Sequence, residues 1–143
     1  MRSVSGIMAN PQLTECLSMQ GLSPEALEQV AAYFQALSEP TRLRILNLLR
    51  EGERNVGDLA LACGYTAANV SRHLAMLMQH GLVARESRGT SVYYRIADES
   101  VYALCDLVCD NIARKLARSA LGTAAFAITP ARAKTARKRP ASR

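Results

Sequence analysis

Between residues 58 and 96 the apolar positions change period, from helical to alternating. From Asp58, DLALAC gathers Leu59, Ala60, Ala62 and Cys63 on one side of a short helix. Gly64 follows, where a helix end favours a residue free of Cβ strain. Thr66 offers an N-cap hydroxyl to a second helix, in which Val70, His73, Leu74, Leu77 and Met78 recur at the three-and-four spacing of one buried face. Gly81 ends that helix. Leu82, Val83 and Ala84 then read as an apolar strand, and Ser91 to Ile96 alternates Val92, Tyr94 and Ile96 against Tyr93 and Arg95. The glycine-containing turn Ser87-Arg88-Gly89-Thr90 joins the two strands into an expected hairpin. Upstream, Ser23-Pro24-Glu25 starts a helix with the apolar stripe Leu27, Val30, Ala31, Phe34 and Leu37. Ser38-Glu39-Pro40 interrupts it, and a further helix with Leu43, Leu46, Leu48 and Leu49 ends near Glu51-Gly52. Downstream, Asp98 is expected to cap a long helix whose seam is Val101, Leu104, Cys105, Val108, Ile112 and Leu116.

Helix, tight turn, helix and two-stranded wing together outline a winged helix-turn-helix, within a mainly α fold class carrying a β-hairpin. The buried stripe of the second helix leaves its other face for a partner. Across Ala67, Ala68, Asn69, Ser71 and Arg72 the side chains are small or hydrogen-bonding, which lets the helix N-terminus approach a major groove closely. The expected DNA contacts are Thr66, Ala68, Asn69, Ser71, Arg72 and His73 on this helix, with Arg85 and Arg88 on a wing laid along phosphates. The seam after Asp98 lies outside the small winged core and needs another surface to cover it. The economical cover is the same helix, or the first helix, of a second copy, so a homodimer is expected.

Helix-turn-helix shapes also occur in proteins that never touch DNA, so the distribution of charge matters. Residues 127–143 hold six basic residues and no acid, which accounts for the whole net charge of +6 and leaves residues 1–126 balanced at 12 against 12. Within that neutral body, residues 40–96 carry eight Arg against four acids, a local excess of +4 around the proposed reader. At 143 residues the chain is long enough for one core, with 1–21 expected as a flexible extension, 22–120 as the DNA-binding and dimerisation domain, and 127–143 as a basic disordered tail. No run approaches the roughly 18 apolar residues of a membrane span, and the start of the chain lacks a secretory pattern, so a cytoplasmic protein with reduced thiols is expected. There is no Gly-rich phosphate loop and no metalloprotease motif, and the two histidines lie in the reader, so nothing favours an enzyme.

With its elements in this order, the chain resembles the ArsR/SmtB family of metal-responsive transcriptional repressors from about Leu22 to Leu116. ALSEPTRLRILNLLREGERNVGDLA is similar to the helix pair leading into the family's reader, and TAANVSRHLAMLMQHGLVARESRGTSVYYRI to its recognition helix and wing. The resemblance implies five or six helices with one hairpin, and a homodimer that sits on a palindromic operator and leaves it when an inducer binds. Two departures bear on the inducer. Where arsenic-responsive members commonly carry Cys-Val-Cys-Asp-Leu, this chain reads Asn55-Val56-Gly57-Asp58-Leu59. The zinc-sensing pattern of the C-terminal helix falls on Asp98, Ser100, Asn111 and Arg114, of which only Asp98 matches.

Cys105 and Cys109 remain. Their i, i+4 spacing puts both thiols on one helical face with Cβ atoms roughly 5 to 6 Å apart, a gap that two metal–sulfur bonds of about 2.3 Å or longer can close. Trivalent arsenic or antimony accepts two or three sulfurs, whereas structural zinc normally takes four ligands, so As(III) or Sb(III) is the expected inducer; DNA binding itself needs no cofactor. Through the family fold, Cys16 is a candidate third sulfur from either protomer. Three alternatives stay open: the pair senses persulfide, it simply fills a dimer seam, or the protein is an architectural DNA binder with structural cysteines. Cys63, beside Gly64, reads as a small buried apolar residue.

Overall fold

The computed structural model describes residues 18–118. Cys16, nearly all of the expected N-terminal extension and the whole basic stretch 127–143 lie outside the described residues. Helix α1 (Pro24–Leu37) begins with Pro24, and the Ser23 hydroxyl accepts the Ala26 N–H at 3.2 Å. Two residues separate it from α2 (Pro40–Leu49), which again starts on proline and is capped by Glu39, whose carboxylate accepts the Arg42 N–H at 3.0 Å. Strand β1 (Arg54–Asn55) leads directly into α3 (Val56–Cys63), capped by Asn55, whose Oδ1 accepts the Asp58 N–H at 2.8 Å. Then come α4 (Ala67–Gln79), the strands β2 (Val83–Arg88) and β3 (Ser91–Ile96), and α5 (Ser100–Ala117).

By internal contacts the chain divides into one unit ending at Asp98 and another starting at Glu99. The first is built around Ile45, Leu46, Leu49, Leu59, Val70, Leu74, Leu77, Leu82 and Val83, all of them buried. These positions come from α2, α3, α4 and the base of the hairpin, so the reader's two helices are fixed by their shared apolar contacts rather than by the turn alone. The sheet has three antiparallel strands in the order β1-β3-β2. Val83 pairs with Ile96 at the base of the hairpin and Arg88 with Ser91 at its tip, while Arg54 and Asn55 oppose Tyr94 and Tyr93. The sequence reading has only two strands here, because a two-residue strand is too short to show an alternating pattern. The register puts Tyr94, buried, and Arg95, exposed, on opposite faces as expected, while Tyr93 is half-buried like Val92 and Ile96.

Of the stripe expected on α1, Leu37 is buried and Val30 half-buried, while the rest is exposed. Ala36 and Leu37 are buried, whereas Leu27 and Phe34 are 41% and 48% exposed in the single chain. In the second unit, the cap of α5 lies one residue later than the cap expected at Asp98: it is Glu99, which has helical backbone angles and no side-chain cap bond. Arg114 and Lys115 fall in its last turn, where positive charge suits the helix dipole. Of the expected seam, Val101 is buried, Leu104, Cys105 and Leu116 are half-buried, and Val108 and Ile112 are exposed along with Leu107. No helix among the described residues is long and apolar enough to cross a membrane.

Candidate nucleic-acid interface and thiol pair

Both helices of the reader end the same way. Gly64 has φ +73°, its N–H donates to the Leu61 carbonyl at 3.3 Å, and the Tyr65 N–H reaches the Ala60 carbonyl at 3.1 Å. At the end of α4, Gly81 has φ +69°, with its N–H on the Met78 carbonyl at 3.0 Å and the Leu82 N–H on the Leu77 carbonyl at 3.0 Å. This paired bonding satisfies the last carbonyls of each helix and turns the chain sharply, so only Tyr65 and Thr66 separate Gly64 from α4. Thr66 caps α4, its hydroxyl accepting the Asn69 N–H at 3.2 Å. With Val70, Leu74 and Leu77 buried, Ala68, Ser71, Arg72 and Ala75 emerge on the opposite face and are exposed, together with Thr66. Asn69 and His73 lie one turn apart on the flank and are half-buried.

His73 has an unforeseen partner. Its Nδ1 stands 3.5 Å from a carboxylate oxygen of Glu39, the same oxygen that caps α2. Burial pushes the Glu39 carboxyl up, but hydrogen bonds from Thr41 and Arg42 and the nearby His73 outweigh it and hold the group below its usual value. From the other side of this corner, the Arg42 guanidinium donates to the last carbonyls of α1, through Nε to Ala36 and through Nη2 to Gln35 at 3.0 Å. Polar bonds at one corner therefore tie α1, α2 and α4 together. The sequence shows the break at Ser38-Glu39-Pro40 but carries no local sign that Glu39 meets a residue 34 positions later, at 73.

The wing separates the arginines expected to act together. Arg85 lies opposite Tyr94 and shares its sheet face, the one that packs on the helices, while Arg88 and Arg95 belong to the other face with Tyr93. Arg88 is also already engaged. It grips both oxygens of Glu53, through Nη1 to Oε1 and through Nη2 to Oε2 at 2.9 Å. It also bonds Glu86 at 3.0 Å and lies 5.1 Å from the centre of the Tyr93 ring. The Arg88 bond holds the Glu53 carboxyl below its usual range despite a contrary push from desolvation, with Arg88 and Arg95 charges adding to the effect. Glu53 is 35 residues away in sequence, so no spacing rule finds the pair.

On α5, Cys105 is half-buried and Cys109 is exposed, and neither they nor Cys63 form a disulfide. Cys63 is buried, and burial pushes its thiol up against the weaker pull of Arg44, which suppresses the thiolate form. That agrees with a packing role. Among the described residues no group of three or more His, Cys, Asp or Glu side chains gathers to hold a metal ion, so Cys105 and Cys109 stand as two donors. Cys16 lies outside the described residues.

The family model described as "Bacterial regulatory protein, arsR family" matches residues 39–85. The transcriptional regulator Rv0324 of Mycobacterium tuberculosis is 41% identical over 121 residues, taking in 80% of this chain but only 53% of that protein. The chain thus spans about half the length of that relative. The transcriptional regulator NmtR of the same organism is 42% identical over 59% of this chain and 71% of its own length. Among solved structures, the homodimeric winged helix-turn-helix domain Mb0332 of Mycobacterium bovis, described as a possible ArsR-family regulator, is 39% identical, with a TM-score of 0.58 over 67% of this chain and 95% of its own. The AntR antimony-specific transcriptional repressor is 28% identical, with a TM-score of 0.59 over 71% of this chain and 92% of its own.

Proposed function

Because the chain belongs to the ArsR family of bacterial regulatory proteins, we propose that this transcriptional regulator is a cytoplasmic homodimeric repressor, released from its operator by a soft metalloid ion held by Cys105 and Cys109. The observation that carries the inducer reading is the thiol pair itself: two cysteines one turn apart on α5, one half-buried and one exposed. Two thiolates on one face offer soft donors to an ion that accepts two or three sulfurs, and too few donors for a structural zinc. Cys16, of the same or the partner protomer, would supply a third. The antimony-specific neighbour supports trivalent antimony ahead of arsenic.

The DNA contacts proposed on α4 are Thr66, Ala68, Asn69, Ser71 and Arg72, with His73 beside them and Arg85 on the wing. The exposed apolar residues Leu27 and Phe34 on α1, and Leu107, Val108 and Ile112 on α5, supply the faces that a second copy would cover, and the neighbour Mb0332 is itself homodimeric. A dimer presents two copies of α4 to successive major grooves. An ion that prefers the DNA-free spacing of those helices then weakens operator binding, and by reciprocity DNA weakens ion binding by the same factor, typically about 5- to 150-fold.

The test is a fluorescence anisotropy titration of the reduced protein on DNA from its own promoter, with Sb(III), As(III), Cd(II) and Zn(II). Near-stoichiometric release by a trivalent metalloid is expected, with Cys105→Ser and Cys109→Ser retaining operator affinity but no longer responding. Release by none of the ions, or an unchanged response in both variants, would refute the inducer assignment. Release by a polysulfide alone would move the signal to persulfide chemistry at the same thiols.

A further inference from the structure

We propose that Arg88 is a positioning residue of the DNA reader, a diagonal brace that holds the wing to the segment before β1 through Glu53, and that the wing's phosphate contact falls to Arg85 on the opposite face. This inference rests on the operator-binding reading above. Its first support is what the guanidinium already does. Three N–H bonds run to Glu53 and Glu86, and its cationic carbon lies 5.1 Å from the centre of the Tyr93 ring. To reach a phosphate, Arg88 would have to give up these bonds and leave two uncompensated carboxylates beside the DNA backbone.

The second support is charge. On the sheet face that carries Arg88, the cations Arg88 and Arg95 are matched by the carboxylates Glu86 and Glu53, the latter close enough to feel both arginines. That face is neutral, which removes the electrostatic attraction expected of a phosphate-tracking surface. Arg85 instead shares the face of Val83 and Tyr94, on the helix side of the sheet, and is exposed.

The third support is topology. Strand β1 pairs with β3 only at Arg54 and Asn55, so among the described residues the distal hairpin from Ser87 to Ser91 has no third strand beside it. Arg88 spans that gap. It starts on β2, crosses the Tyr93 ring of the central strand and ends on the residue immediately before β1, so one side chain links both outer strands.

Glu53→Gln, Arg88→Gln, their double mutant and Arg85→Gln should be compared with wild type in two measurements. In the DNA-free protein, amide hydrogen exchange from Ser87 to Ser91 should quicken in Glu53→Gln and Arg88→Gln alike. In operator titrations across salt concentrations, each of these two should weaken binding by about threefold, consistent with the modest strength of partly exposed ion pairs, and the double mutant should be no worse than either. The slope of log affinity against log salt should stay unchanged for them, whereas Arg85→Gln should flatten it by about 1.8, for one duplex phosphate lost on each of two wings. A flattening of that size in Arg88→Gln, tighter binding by Glu53→Gln, or unaltered exchange in both variants would overturn the proposal. If wild type itself ignores its promoter DNA, the operator reading fails, while the exchange measurement still decides whether the brace exists.

Discussion

Gly64→Ala isolates the backbone strain stored in the turn of the reader. At φ +73° an alanine sits in the left-handed region, which costs an L-residue about 1–2 kcal/mol. A Cβ built on Gly64 meets nothing within 4 Å, so no steric penalty is added. Alanine also restricts the unfolded chain, which offsets about 0.4–1 kcal/mol of the strain. The net loss should be about 1 kcal/mol, or roughly 4–8 °C in Tm for a folded region of this size. Urea unfolding of the reduced protein at one fixed concentration measures it, the concentration being held because self-association would shift the midpoint. Gly64→Asn should lose less than alanine, since asparagine visits this region more readily. A loss above about 3 kcal/mol would reveal a contact that the open space around Gly64 does not contain. No loss at all would mean that the turn does not need its left-handed residue.

Leu74→Ala should cost about 2–5 kcal/mol by the same assay, because Leu74 is fully buried on the inner face of α4 and its removal leaves a cavity. At the corner of α1, α2 and α4, Glu39→Gln should change the pH dependence of stability. The depressed carboxyl of wild type contributes stability that is present above about pH 4.5 and lost as pH falls through the lower folded-state value. The variant should therefore be less stable than wild type at neutral pH, with the gap narrowing in acid; denaturant midpoints between pH 7 and pH 3 check this, and a constant gap would refute it.

Much of the reader was legible because it is written in local signals. Thr66 three residues before the bonded Asn69 amide, Gly64 and Gly81 at helix ends, and the alternation about Tyr94 each report on their neighbours a few positions away. The pairings that decide side-chain roles were not legible, because they join distant positions. Glu39 with His73 and Glu53 with Arg88 arise only when the helices and sheet have assembled, and they change how His73 and Arg88 are understood. The apolar pattern of α1 identified a helix with a sticky face, but a period cannot say that, among the described residues, only its last turn is fully buried. The thiol pair was visible from its spacing, while its unequal exposure required the fold.

Among the described residues the strand order leaves β2 at one margin of the sheet. Such margins invite another hairpin to add on, which is the route to uncontrolled polymerisation. Here the sequence along that margin is Val83-Ala84-Arg85-Glu86-Ser87-Arg88, apolar only at its sheltered base and charged towards its free tip. The same residues that hold the wing in shape thus act as gatekeepers against strand exchange. Charge along this margin therefore disfavours the addition of a further strand, the step by which an open edge would propagate.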